Sequence, residues 1–213
     1  MKIHEKIIII DPSMPSINSI HHAAQIISQG GMVIFPTWCL YGLAVHALIP
    51  EAVRKIFNIK KRSSENPVLI LIKHQDDLND LVTSIPAPAR KIMDRFWPGK
   101  VTLVFHAKDH IPKDLTAGTG KIGIRIPEHP VAVALVHALP FPITGTSANI
   151  SGTGGCNRIT DLPSELTENV DLILDAGTLN GGSGSTVVDV TCNPIQIIRE
   201  GAVSAFEIFR AIG

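Results

Sequence analysis

The sequence predicts an α/β fold: a twisted mixed sheet, parallel and antiparallel, flanked by helices, in one domain over residues 1–213. Three observations lead there. Short apolar runs rich in β-branched residues recur along the whole chain, and segments of helical period separate several of them. From Ile122 onward the helices between strands thin out. Regular alternation would give a purely parallel, doubly wound sheet, so its loss argues for antiparallel neighbours too. A chain of 213 residues can bury one sizeable core, and no repeat or low-complexity tract divides it.

In order, the strand runs are 7–10, 32–35, 68–72, 101–105, 122–126, 170–174, 187–190 and 195–198, each bounded by Gly, Pro or polar residues. The first helix, 16–29, places Ile17, Ile20, Ala24 and Ile27 on one face and stops at Gly30-Gly31. The second, 50–61, opens with Pro50 in its first turn and carries Val53, Ile56 and Phe57 on one side. Further helical periods fall at 76–83, 87–96, 130–138 and 203–211. Two glycine-rich breaks, 152–157 and 177–184, are too short for domain linkers and read as loops lining a site.

Charge and cysteine content exclude several classes. Nineteen basic and nineteen acidic residues cancel, so no global field draws the chain to nucleic acid or an anionic membrane; an anion site must be built locally. Cys39, Cys156 and Cys192 are odd in number and far apart, which fits a reducing compartment rather than a disulfide framework or zinc knuckle. The first eleven residues are too short and charged for a secretory signal, and no apolar run reaches membrane-spanning length. The expectation is a cytoplasmic protein with no membrane partner. Nine histidines fall into no ligand spacing, so no metal site is assigned to protein residues.

Six segments carry chemistry. Lys60-Lys61-Arg62 ends a helix just before a strand; cations suit the negative end of a helix dipole, but an ammonium and a guanidinium two residues apart also suit a polyphosphate. Over 142–152 a strand arrives at a patch of hydroxyls and the Asn149 carboxamide and turns through Gly, a common composition for turns and also one that hydrogen-bonds phosphate. There is no P-loop signature and no dinucleotide fingerprint. Thr37 follows a strand and could simply cap a turn. Arg125 sits mid-strand, an awkward place for a charge unless its head meets an anion or a carboxylate. Ser185 lies just before the strand run 187–190, and Arg199 just after the run 195–198, where it could be a rim charge.

The ordered set resembles the threonylcarbamoyl-AMP synthase family, with its YrdC-type domain. The matching pieces are Gly30-Gly31 through Pro36-Thr37, Tyr41-Gly42-Leu43, Lys60-x-Arg62, Phe96-Trp97-Pro98-Gly99 with Thr102, Arg125-x-Pro127-x-His129-Pro130, Thr146-Ser147-Ala148-Asn149-x-Ser151-Gly152, Ser185 through Asp189, and Arg199-x-Gly201. They cover about residues 16–202.

The resemblance implies a mixed sheet with helices around a concave basic cavity. It also implies condensation of L-threonine, bicarbonate and ATP to threonylcarbamoyl-adenylate and pyrophosphate, with Mg²⁺ held mostly by phosphate and water. A downstream complex would move the threonylcarbamoyl group to an adenosine of tRNA. Lys60, Arg62, Ser147 and Asn149 are implied as catalytic. Lys60, Arg62, Asn66, Asn149 and Arg199 would bind ATP; Thr37, Arg125, Ser147 and Ser185 would surround threonine. The chain departs from the pattern at Trp38 and Cys39, where the family has an acidic residue and a threonine, and at Lys121, where a small hydroxyl residue is common. Its end near Gly213 reads as the short form without an additional C-terminal domain. Two alternatives stand beside the synthase: an accessory module with weak RNA binding and no synthesis, and an enzyme using another amino acid or carbamoyl donor.

Overall fold

In the computed structural model, which describes residues 3–213, the strands expected as one sheet are divided between two. The first two residues of the stretch read as lacking a signal lie outside the described residues. The first sheet has the order β1-β9-β2-β3-β8, built from β1 (Ile7–Ile9), β9 (Leu172–Asp175), β2 (Val33–Pro36), β3 (Tyr41–Ala44) and β8 (Thr146–Ser147). Its β1, β9 and β2 run parallel, while β3 pairs antiparallel with both neighbours. The second has the order β11-β10-β5-β6-β4-β7: β11 (Gln196–Arg199), β10 (Thr186–Asp189), β5 (Val101–His106), β6 (Lys121–Arg125), β4 (Ile70–Leu71) and β7 (Ile143–Thr144). Both sheets are mixed, with parallel pairs at β10/β5 and β4/β6 in the second.

Gly145 marks where the chain changes sheets. It is the one residue between β7 and β8, and a Cβ there would lie 2.8 Å from both Leu69 and Leu71 side-chain carbons. Only a bare backbone passes so close. Thr144 knits the two sheets at that crossing: its hydroxyl donates to Leu43 O and accepts from Val45 N, both at 3.1 Å.

Helices form where the apolar period predicts. α1 (Ile17–Ser28) buries Ile20, Ala23, Ala24 and Ile27 in a core shared with α6 (Pro130–His137), β2 and β9. Burying Ile27 completely contributes about 1.5–3 kcal/mol. α2 (Pro50–Ile59), α3 (Leu78–Leu81), α4 (Ala87–Phe96) and α8 (Ala205–Ile212) supply the core on the other side. Ser204 and Glu207 cap α8 reciprocally, the Ser204 hydroxyl accepting from Glu207 N and the carboxylate accepting from Ser204 N. Two short helices, α5 (Lys113–Thr116) and α7 (Ser164–Asn169), were not expected from the sequence. No helix among the described residues is long and apolar enough to cross a membrane.

The end of α2 sets up the site. Arg62 N bonds Phe57 O at 2.9 Å and Lys61 N bonds Asn58 O at 3.2 Å, with Lys61 in the left-handed region at φ 49°. This Schellman ending turns the chain sharply, so Lys60 points inward while Arg62 emerges at the cleft.

Candidate active site

A cleft of about 690 Å³ lies over one face of the second sheet. Strand alternation decides what lines it. Ile122 and Ile124 of β6 go to the core, and Lys121, Gly123 and Arg125 face the cleft. On β5 the core takes Leu103 and Phe105, leaving Thr102 and Val104; on β10 it takes Val188, leaving Val187 and Asp189. The register places Val104 opposite Gly123, and Val187 and Asp189 beside Thr102 and Val104. The far wall comes from residues 37–42, from β8 and from the loops that carry Thr153, Gly155, Gly182 and Gly184.

Arg125 is the most constrained group. It is 5% exposed, its Nε has no hydrogen-bond partner, and it forms no ion pair among the described residues. Burial pushes it down to about 10, with Cys39 and Glu128 acting in the other direction. Arg199 opposes its charge as well, and Arg199 also holds Arg62, which burial lowers first, below the usual guanidinium range. Three guanidiniums therefore converge on one space. Such mutual repulsion is relieved by an anion bound among them.

The remaining polar groups are tied in place. Arg62 donates from Nε to Asn66 O at 2.9 Å and from Nη2 to Pro67 O at 2.8 Å. Arg199 Nη2 donates to Ser185 O at 2.7 Å, and Ser185 and Thr102 share a hydroxyl hydrogen bond of 2.8 Å. Thr37 donates to Leu40 O at 2.6 Å, closing its own turn. Tyr41 donates to Gly177 O at 2.7 Å, and burial pushes its phenol up; its role is to anchor the second glycine loop. Lys121 pairs with Asp189 at 2.8 Å. At the cleft mouth the Lys100 ammonium stands 4.6 Å from the Trp38 ring centroid and 3.8 Å from Glu128.

Lys60 lies behind this wall. It is 1% exposed and does not line the cleft. Its ammonium donates to Ser147 O, to Asn149 O at 2.8 Å and to Asn149 Oδ1 at 3.0 Å. Those three oxygens favour the charged form; burial and then Arg62 work against it and bring it down to about 7. Asn149 is saturated as well. Its Oδ1 accepts from Lys60 and, at 2.5 Å, from the Ser147 hydroxyl, while its Nδ2 donates to Ile150 O and Thr153 O.

A family model for the Sua5/YciO/YrdC group, described as Telomere recombination, matches residues 25–201. The chain belongs to this family. It is 36% identical over 191 residues to the threonylcarbamoyl-AMP synthase of Pyrococcus abyssi, covering 90% of this chain and 56% of that protein. The Bacillus subtilis enzyme of the same name is 34% identical over 195 residues, covering 91% and 56%. The chain thus spans a little over half the length of these two relatives. The crystal structure of P. abyssi Sua5 complexed with L-threonine superposes with a TM-score of 0.92 at 34% identity, covering 97% of this chain and 61% of that one. E. coli YciO gives 0.86 at 25% identity, covering 95% and 98%.

Of the residues named from sequence, the family fold brings Thr37, Arg62, Arg125, Ser147, Asn149, Ser185 and Arg199 together around the cleft. It leaves two outside. Lys60 is enclosed behind the Ser147–Asn149 turn, and Asn66 is exposed, meeting Arg62 through its backbone carbonyl alone. Thr102 and Asp189 line the cleft although no role was assigned to them from sequence. Their signal was available: each alternates with buried aliphatic neighbours, in step with Arg125.

Proposed function

We propose that the protein is an L-threonylcarbamoyladenylate synthase, a nucleotidyltransferase acting as one domain, which makes threonylcarbamoyl-AMP and pyrophosphate from L-threonine, bicarbonate or CO₂, and ATP. The observation that carries this reading is the buried, unpartnered Arg125 facing a cleft where Arg62 and Arg199 also converge. Arg125 takes the threonine carboxylate, with Thr37 and the Ser185–Thr102 hydroxyl pair beside it. Arg62 and Arg199 take the phosphates. The bound L-threonine of the P. abyssi relative supports the amino-acid half.

The chemistry then needs positioning more than covalent help. The threonine amine adds to CO₂ and loses a proton, giving a carbamate. A carbamate oxygen attacks the α-phosphorus and expels pyrophosphate. The carbamate and ATP are both anionic, so fixed guanidiniums in a low-dielectric cleft lower the cost of bringing them together. No group of three His, Cys, Asp or Glu converges among the described residues, and the cleft carboxylate Asp189 is engaged by Lys121 and Thr191. Mg²⁺ would come with the phosphates of ATP and shield their charge. The product serves a tRNA-modifying complex in the cytoplasm.

The test is incubation with Mg²⁺-ATP, labelled bicarbonate and L-threonine. Pyrophosphate and a labelled threonylcarbamoyl adduct should appear only when all three are present, and Arg62→Ala should abolish both while remaining folded. No product at stoichiometric enzyme would refute the synthase. Trp38 at the cleft wall favours a second reading, in which the amino acid is not threonine; a panel of amino acids separates the two.

A further inference from the structure

The four residues of the Lys60-x-Arg62 and Ser147-x-Asn149 motifs do not act as a set of equals. Lys60 has three N–H bonds and three acceptors, all on Ser147 and Asn149. An ammonium only donates, so the Asn149 oxygen must be the atom that faces it. The amide nitrogen then faces two carbonyls, Ile150 O at 2.8 Å and Thr153 O at 2.6 Å. Both lone-pair positions of Oδ1 and both N–H bonds of Nδ2 are used. Neither Lys60 nor the Asn149 side chain has capacity left for a ligand.

Ser147 stands next along this chain. Asn149 Oδ1 can only accept, so the single proton of the Ser147 hydroxyl goes to it, at 2.5 Å. The Ser147 oxygen lines the cleft and keeps only lone pairs to offer. A phosphate oxygen offers lone pairs too and would be repelled there; an N–H or O–H donor would be held.

We propose that Lys60 is a positioning residue which, through Asn149, fixes the Ser147 hydroxyl as a hydrogen-bond acceptor for a donor group of the ligand. Identifying that donor as the amine of the amino acid rests on the function proposed above. Ser147 then orients the nitrogen toward the carbon it must attack, and of these four residues Arg62 alone contacts phosphate, with Arg199 beside it.

The experiment has two arms, both at pH 6.5, where the Lys60 ammonium is held. In the first, hydrogen exchange of the ligand-free protein is compared between wild type and Lys60→Met. Amides 147–153 should exchange at least tenfold faster in the variant, with β1, β9 and β2 of the first sheet unchanged. Unchanged protection of that turn would overturn the positioning role. In the second arm, calorimetry measures L-threonine, 3-hydroxybutyrate (threonine without its amine) and ATP. Ser147→Ala, which leaves the Lys60–Asn149 contacts intact, should lose at least tenfold in threonine affinity. It should lose less than threefold for ATP and should no longer distinguish threonine from 3-hydroxybutyrate. The reverse pattern, ATP lost and threonine kept, would make Ser147 a phosphate donor and sink the assignment. Should Lys60→Met fail to fold, the Ser147→Ala arm decides by itself. Should wild type bind neither threonine nor ATP, the synthase reading fails, and the exchange arm still decides the role of Lys60.

Discussion

Replacing Arg125 with methionine should make the ligand-free protein more stable and unable to hold the amino acid proposed above. Burial, the largest cause, brings Arg125 down from the usual guanidinium range to about 10. For a base, a folded value below the unfolded one means the charged form is disfavoured by folding, so the cost is present at every pH below about 10. At 1.36 kcal/mol per unit, the shift corresponds to about 3 kcal/mol. Methionine removes that cost and fills much of the same volume with an unbranched apolar chain, losing some packing in return. A net gain of about 1–2 kcal/mol is expected, which for a chain of this size raises the melting temperature by roughly 3–6 °C. The assay is urea and thermal unfolding followed by the fluorescence of Trp97, which is buried, and Trp38. The same melts with L-threonine at a hundred times its dissociation constant should stabilise wild type by about 2.7 kcal/mol and the variant not at all. A ligand-free variant less stable than wild type by more than 1 kcal/mol would refute the reasoning. So would a variant still stabilised by threonine.

Three further outcomes follow from the geometry. Lys61→Gly should stabilise the protein by about 0.5–1 kcal/mol in urea unfolding, because Lys61 holds φ 49° and its ion pair with Glu165 is exposed on both sides. Gly145→Ala should destabilise it by about 1–3 kcal/mol, since the new Cβ meets the buried Leu71 side chain at 2.8 Å; the same melts show it, and a neutral result would deny the tight crossing between the sheets. Lys60 should make stability rise with pH. Burial and then Arg62 bring it to about 7, with Cys156 acting the other way, so between about 7 and 10.5 the unfolded chain keeps a proton that the folded one releases. Below about 7 both states hold that proton and the contribution is flat. Lys60→Met should lose this rise, which amounts to at most about 3 kcal/mol between pH 6.5 and 9, read from urea unfolding at those two values.

Much of the architecture was legible in the sequence because it depends on short-range rules. Every expected strand run overlaps an observed strand, and every expected helical period an observed helix, since apolar periodicity and glycine or proline boundaries are local signals. β3 was not read as a strand. Gly42 sits in its middle, packed so closely that a Cβ would lie 3.0 Å from the Phe35 ring, and a glycine lowers any strand signal. β7 and β8 are two residues each, too short to show a period. Their assignment to different sheets comes from the Gly145 crossing, a contact with Leu69 and Leu71 far away in sequence.

The same division holds at the site. Arg125 was legible, because KIGIRI alternates and a charge on the period-two face must look onto something other than core. Family order supplied Arg62, Ser147 and Arg199. What only the tertiary structure decided is which way each polar group faces. Lys60 and Arg62 are two residues apart and alike in charge. The left-handed turn at Lys61 sends one into the protein to saturate Asn149 and the other to the cleft. Composition and spacing determine that cations and hydroxyls meet; the hydrogen-bond partners already taken determine which of them remain for a ligand.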